Sequence, residues 1–230
     1  MDVPVLLIEF EGVLADTAAM RAAALVEAFG ADDNSHTPAL SALAPGLTTE
    51  QAVHRIRQAA GWPEDGTASE ICRLRAERAF AARAGKGLSL QPAVRDAIER
   101  LSSFARLAIV TRASRREVEF ALGLSGLDAM FRPVIALEDA SSPKPSAAPH
   151  LAALDRMAQL FPGQHICALA IEDSVVGVRA ARAAGIPSVA IGLLPTHEAI
   201  EADAWFPSLS ELTPTRAREI AFGARTGHGR

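Results

Sequence analysis

The pattern of apolar and polar positions divides the chain into a helical stretch and a stretch in which strands alternate with helices. A short apolar run over residues 3–8 predicts a first strand. From residue 17 to about residue 88, apolar residues recur at helical spacing. Helices are expected over 17–30, 48–61 and 68–85, with a loop over 31–47. Because no convincing strand falls in this region, we expect an all-helical insertion after the first strand.

The rest of the chain alternates between the two kinds of element. The expected strands are 105–111, 132–139, 164–173 and 186–192, with a short edge strand at 202–206, and the expected helices are 92–103, 114–127, 146–161 and 174–185. Strands that alternate with helices predict a parallel sheet covered on both faces. The predicted fold class is therefore α/β, with a core domain of residues 1–16 and 89–212 and a helical insertion of residues 17–88. Residues 213–230 are expected to form a helix and a partly disordered tail.

Charge and composition narrow the function classes. The net charge is -4, which argues against nucleic acid as a partner. No segment reaches the roughly 18 apolar residues that a membrane span needs, so no membrane partner is expected. The only two cysteines, Cys72 and Cys167, lie far apart, which favours a reducing compartment and a cytoplasmic location.

Polar residues follow four of the predicted core strands, at the edge of the sheet where ligands of open α/β folds bind. They are Glu9, Glu11, Thr111, Arg112, Lys144, Glu172 and Asp173. Each has an ordinary alternative as a helix cap, a solvated side chain or a partner of a helix dipole. Together, the carboxylates suit Mg²⁺ and the hydroxyl and ammonium groups suit an anion. The combination indicates metal-assisted phosphoryl chemistry.

Four segments resemble the sequence motifs of the haloacid dehalogenase superfamily. The most specific is "IEDSVVGVRAARAAGIPSVAIG" (171–192), which is similar to the fourth motif of that family. The third motif is resembled by "KPSAAPHLAAL" (144–154) and the second by "IVTRASRREVE" (109–119). The end of the first motif is resembled by "EGVLADT" (11–17). The resemblance is to the branch of phosphoglycolate phosphatase and β-phosphoglucomutase-like proteins. It implies a doubly wound, Rossmann-like core and identifies the helical insertion as a mobile cap.

The resemblance also implies catalytic roles for individual residues. Glu9 stands where the family has the nucleophile that attacks phosphorus and forms an acyl phosphate. Glu11 stands at the position of the general acid and base. Thr111 and Lys144 stand at the positions that bind the transferring phosphoryl group. The implied reaction is hydrolysis of a phosphomonoester on a small phosphorylated metabolite, by a monomer or weak homodimer.

The implied cofactor is Mg²⁺. The resemblance assigns it to Glu9, the backbone carbonyl of Glu11 and Asp173, with Glu172 in support. The donors are carboxylate and carbonyl oxygens, which Mg²⁺ prefers.

Three further residues are candidate substrate contacts. Arg112 follows Thr111 directly, although pairing with Glu172 or Glu138 is an open alternative. Thr48 and Arg55 stand in the insertion at the place of the substrate loop of sugar phosphomutases, but a solvated surface position is the favoured alternative for Arg55. Because residues 17–85 contain no lysine, the Schiff-base chemistry of phosphonatases is not expected.

The chain departs from the family at the chemistry itself, because the family has aspartate at positions 9 and 11. A glutamate carboxylate lies roughly 1 to 1.5 Å further from the backbone, and a misplacement of about 1 Å costs on the order of 100-fold in rate. Two functions therefore stay open. One is a phosphatase, slowed by its Glu-x-Glu motif; the other is an impaired relative that binds Mg²⁺ and a phosphorylated ligand as a regulatory or binding module.

Overall fold

A computed structural model of the chain describes residues 2–30, 47–63, 65–192 and 201–223. Its strands are β1 (Asp2–Ile8), β2 (Arg106–Val110), β3 (Phe131–Ile135), β4 (His165–Glu172), β5 (Ser188–Ile191) and β6 (Ala204–Phe206). Its α-helices are α1 (Ala18–Ala28), α2 (Thr49–Ala59), α3 (Gly66–Gly87), α4 (Val94–Ser102), α5 (Arg115–Ser125), α6 (Ala148–Leu160), α7 (Val175–Ala183) and α8 (Pro214–Gly223).

The six strands form one parallel sheet in the order β3-β2-β1-β4-β5-β6. β1 and β4 lie at the centre and are buried along most of their length, which explains why both read as nearly continuous apolar runs. The chain order reverses beside β1, so the carboxyl ends of β1, β2 and β4 meet at one switch point. The predicted α/β fold class is confirmed.

Alternate residues of the strands pack into two apolar clusters, one on each face of the sheet. Leu6 and Ile8 of β1 pack with α4, α5 and α8, whereas Val5 and Leu7 pack with α6 and α7. This alternation is the two-residue period of a strand whose faces are both covered.

The first three helices, α1, α2 and α3, pack mainly with one another. α1 lies along α3 and α2 packs on both, around buried side chains such as Leu25, Val53 and Ile56. α3 also packs against α5, so the helical insertion lies beside the sheet edge. The predicted N-terminus of α2 is confirmed, since Thr48 and Gln51 form a reciprocal capping box.

The predicted elements agree with the structure except at their ends. The predicted strand over 132–139 ends at Ile135 and is followed by a 3₁₀-helix, Leu137–Asp139, in which Asp139 accepts a hydrogen bond from the backbone of Ala136. The loop predicted over 31–47 lies outside the described residues except for Leu47, as does the predicted tail beyond Gly223. Within the described ranges, no helix is long and apolar enough to cross a membrane.

Candidate active site

A cavity of about 840 Å³ opens at the carboxyl ends of the strands, between the sheet and α1. Five of the residues predicted from the sequence line it: Glu9, Glu11, Thr111, Arg112 and Asp173. They come from the ends of β1, β2 and β4. Parallel strands therefore deliver to one place residues that are more than 160 positions apart in the chain.

Glu9 is buried at the floor of this cavity, with 6% of its surface exposed. Its Oε1 accepts hydrogen bonds from the backbone N–H of Phe10 (2.8 Å), the N–H of Glu11 (3.3 Å) and the Thr111 hydroxyl. Its Oε2 accepts one from the Lys144 ammonium at 2.9 Å. Both oxygens of the predicted nucleophile are thus engaged by groups of the core.

Lys144 joins Glu9 to a second buried carboxylate. Its ammonium donates to Glu172 at 2.6 Å and to the carbonyl oxygen of Val110 at 2.7 Å. Burial by itself lowers the pKa of the Lys144 ammonium, but Glu172 and Glu9 raise it by more, so the lysine is charged. The ammonium therefore lies between two carboxylates and offsets part of their mutual repulsion.

Glu172 lies behind Lys144 and is fully buried. His150 of α6 contacts its Oε1 through Nε2 at 3.0 Å. Burial by itself raises the pKa of the Glu172 carboxyl, but Lys144 and His150 lower it by more. A Cβ at Gly177 would lie 1.9 Å from Oε2 of Glu172, so the glycine of α7 leaves the space that this carboxylate fills.

Glu11 turns away from this network towards the helical insertion. Its Oε2 pairs at 2.7 Å with Arg21 of α1, whose Nη1 donates at 3.0 Å to Glu117 of α5. Burial by itself lowers the pKa of the Arg21 guanidinium, but Glu117 and Glu11 raise it by more. Glu117 also accepts from the backbone N–H of Ser114, as the capping box of α5. One buried arginine thus links α1 to two carboxylates of the core.

The carboxyl group of Asp173 has a raised pKa. Burial raises the pKa of its carboxyl to about 7, and the negative charges of Glu9 and Glu172 add to the shift. A Cβ at Gly12, which has φ +78°, would lie 2.0 Å from Oδ2 of Asp173. Glycine therefore allows the loop after β1 to approach this carboxylate closely.

The donor set fits Mg²⁺ in chemistry and in charge, because hard carboxylate oxygens converge and a cation would relieve the repulsion around Asp173. The side chains, however, are not positioned around a common point where a metal ion could bind. Within the described residues, no three His, Cys, Asp or Glu side chains are grouped so as to hold a metal ion. The reason is that Glu9 and Glu172 bind Lys144, while Glu11 binds Arg21.

The candidate substrate contacts divide into two groups. Arg112 lines the cavity, and neither alternative partner pairs with it: Glu172 binds Lys144 and His150, and Glu138 accepts the backbone N–H of Arg115. Thr48 is buried as the cap of α2, and Arg55 is exposed on the same helix. Neither of these two lines the cavity.

Sequence reasoning missed Arg21, Glu117 and His150. Arg21 carried a signal, because it shares the i, i+3, i+4 face of α1 with the buried Ala24 and Leu25 in a helix otherwise rich in alanine. A charged residue on the apolar face of a helix needs a partner. His150 likewise lies on the buried face of α6.

The fold is shared with solved structures of low sequence identity. CbbY from Rhodobacter sphaeroides in complex with phosphate superposes with a TM-score of 0.74 at 24% identity, covering 92% of this chain and 96% of that one. β-Phosphoglucomutase from Clostridium difficile superposes with 0.79 at 14% identity, covering 97% and 99%. A predicted phosphoglycolate phosphatase from Haemophilus somnus gives 0.71 at 18%, covering 91% and 96%. The TM-scores show a common fold.

The family is established by sequence. No protein of curated function matches the chain. The family model of haloacid dehalogenase-like hydrolases, however, matches residues 6–191, which is most of the chain and includes both sides of the helical insertion. The match confirms the predicted superfamily and the prediction of a hydrolase. The chain therefore belongs to the haloacid dehalogenase-like hydrolase family.

Proposed function

We propose that the protein is a Mg²⁺-dependent phosphomonoester hydrolase that acts on a small phosphorylated metabolite. The observation that carries the proposal is the meeting of Glu9, Thr111 and Lys144 at the carboxyl ends of the strands. A nucleophilic carboxylate, a hydroxyl and an ammonium within hydrogen-bond reach are the groups that phosphoryl transfer to an enzyme side chain requires.

The reaction proceeds in two steps. An oxygen of the Glu9 carboxylate attacks phosphorus, the bond from phosphorus to the leaving oxygen breaks, and the Glu11 carboxyl donates its proton to that oxygen. Water then attacks the phosphorus of the acyl phosphate while Glu11 takes the water proton. The bond from phosphorus to Glu9 breaks, which releases inorganic phosphate and restores both glutamates.

The remaining residues bind and orient. Thr111 and Lys144 hold the phosphoryl oxygens, and Arg112 holds the rest of the substrate at the cavity wall. Mg²⁺ would be held by Asp173, Glu9 and the backbone carbonyl of Glu11, with Glu172 in support; when bound, it neutralises charge on the phosphoryl group. We further propose that residues 17–88 act as a cap over a core of residues 1–16 and 89–212, with Thr48 and Arg55 nearing the substrate only when the cap moves.

A second function is favoured by the pairing of Glu11 with Arg21. The Arg21 guanidinium lies 2.7 Å from Oε2 of Glu11, so this carboxylate is engaged in an ion pair and is not free to contact a leaving group. If Arg21 does not release Glu11, the protein binds Mg²⁺ and a phosphorylated ligand without turnover.

The test is Mg²⁺-dependent phosphate release across a panel of phosphorylated metabolites, with Glu9→Gln and Glu9→Asp beside the native chain. Turnover by the native chain that is lost in Glu9→Gln supports the hydrolase. Turnover that appears only in Glu9→Asp supports the binding module. Absence of release from every member in all three proteins contradicts the hydrolase proposal.

The metal has a test that does not depend on turnover. Native protein and Asp173→Asn are titrated with MgCl₂ while the melting temperature is followed. Binding to the folded state alone raises the melting temperature, and we expect a rise for the native protein that is absent for Asp173→Asn. Equal rises in both proteins would remove Asp173 from the proposed metal site.

A further inference from the structure

Four hydrogen-bond donors surround one point at the floor of the cavity. They are the Thr111 hydroxyl, the Lys144 ammonium and the backbone N–H groups of Phe10 and Glu11, and we call them the anion cradle. All four donate to the carboxylate of Glu9, which is 6% exposed. Two of them, Thr111 and Lys144, are the residues that the proposed function gives to the phosphoryl group.

The donors have no capacity left for a second anion. A threonine hydroxyl has one hydrogen to donate and a lysine ammonium has three. The Thr111 hydrogen goes to Glu9, and the three Lys144 hydrogens are accounted for by Glu9, Glu172 and the carbonyl oxygen of Val110. A phosphoryl oxygen can therefore bind these side chains only after the Glu9 carboxylate leaves.

The length of the side chain explains this arrangement. Glutamate extends roughly 1 to 1.5 Å further from the backbone than aspartate, and Glu9 follows β1 directly. The extra methylene carries the carboxylate into the ring of donors, where a shorter acid would stop nearer the strand. The negative charge of Glu9 also repels the negative charge of an incoming phosphate at this buried site.

We propose that Glu9 is an internal occupant of the anion cradle and competes there with the phosphoryl group. The inference rests on the proposed function only for the nature of the anion, a tetrahedral phosphate or phosphate ester. If the cradle is open in only a fraction of molecules, the apparent affinity for phosphate is the affinity of the open cradle multiplied by that fraction. Removal of the side chain restores the full affinity.

Binding of inorganic phosphate, measured by isothermal titration calorimetry on the full chain, tests this proposal. We expect Glu9→Ala to bind phosphate at least about tenfold more tightly than the native protein, because its cradle is free. Glu9→Asp is expected to lie between the two. Glu9→Gln removes the charge but still fills the cradle, so its gain is expected to be clearly smaller than that of Glu9→Ala.

A matched control separates occupancy from general charge. Asp16 lines the same cavity and is exposed, and it is not one of the cradle's partners. Asp16→Asn removes one negative charge from the cavity, and we expect a change in phosphate affinity below about threefold. In the Glu9→Ala background, Thr111→Val is expected to abolish the gain, which places the phosphate in the cradle.

The outcomes separate this inference from the hydrolase proposal. If Glu9→Ala binds phosphate more tightly and the native chain releases no phosphate from any ester, the cradle is supported and the hydrolase proposal is contradicted. Unchanged phosphate affinity in Glu9→Ala and Glu9→Asp overturns the inference, even if the native chain turns over. Equal gains in Glu9→Ala, Glu9→Gln and Asp16→Asn also overturn it, because charge alone would explain them.

Discussion

Glu9 and Glu11 lie two residues apart on the same loop, but their carboxylates belong to different parts of the molecule. Glu9 is bound by Thr111 and Lys144, which both come from the α/β core. Glu11 is bound by Arg21, which comes from the first helix of the insertion. The first carboxylate is 7% exposed as a side chain and the second 29%.

The difference shows that two glutamates of one loop have separate roles in this chain. At position 9 the side chain lies inside the core and binds Thr111 and Lys144. At position 11 it reaches across to the insertion and ties it to the core through Arg21. The two networks share no side chain, so mutations in one are expected to leave the other in place.

The largest effect is expected for Lys144→Met, which breaks the network inside the core. Glu9 and Glu172 then remain buried as like charges without an ammonium between them. We expect the free energy of unfolding to fall by about 3–5 kcal/mol, measured by urea denaturation. Lys86→Met, at the exposed end of α3, is the control and is expected to change it by less than about 0.5 kcal/mol. A similar effect of both variants would contradict the network.

The next largest effect is expected for Arg21→Met, which breaks the link between insertion and core. Glu117 is 3% exposed and loses its cation, so we expect a loss of about 2–4 kcal/mol in the free energy of unfolding. Arg83→Met is the matched control, because Arg83 pairs with the exposed Glu27 within the insertion alone. Its expected loss is below about 1 kcal/mol.

A second variant sharpens this prediction. Glu117→Gln in the Arg21→Met background removes the uncompensated buried charge. It is expected to recover part of the lost stability. If the double variant is less stable than Arg21→Met, the loss comes from packing of the arginine stem and not from its charge.

A smaller effect is expected for Gly12→Ala, at the loop that carries both glutamates. The residue has φ +78° and the new Cβ would meet Asp173, so a loss of about 1–3 kcal/mol in the free energy of unfolding follows. Gly163→Ala is the control for strain alone, since its φ is +73° and no described atom lies within 4 Å of the new Cβ. Equal losses in thermal denaturation would mean that the contact with Asp173 contributes nothing.

The smallest effect is expected for Glu11→Asp. The shorter side chain weakens the contact with Arg21, for an expected loss of about 1 kcal/mol in the free energy of unfolding. A double-mutant cycle with Arg21→Met isolates the pair, with an expected coupling of about 0.5–1.5 kcal/mol. Additive losses would show that Glu11 and Arg21 do not interact in solution.

The sequence predicted the sheet and the edge where the site lies, because strand periodicity and chain order are local properties. Glu9, Thr111 and Lys144 were predicted from their places after three apolar runs, and the structure brings them together. It did not bring Thr48 and Arg55 to the cavity. Their places on a helix were predicted correctly, but the direction in which that helix presents them depends on packing against α1 and α3.

The sequence by itself determined the α/β order of elements, the family, and the set of acids, hydroxyl and lysine at the strand ends. Only the tertiary structure decided which of these groups meet. Glu9 accepts the hydrogen bonds of the anion cradle, and Glu11 forms an ion pair with Arg21. The physical reason is the range of the interactions. Helices and strands follow from neighbours a few residues apart, whereas a hydrogen bond depends on ångström distances between side chains from elements that are far apart in the chain.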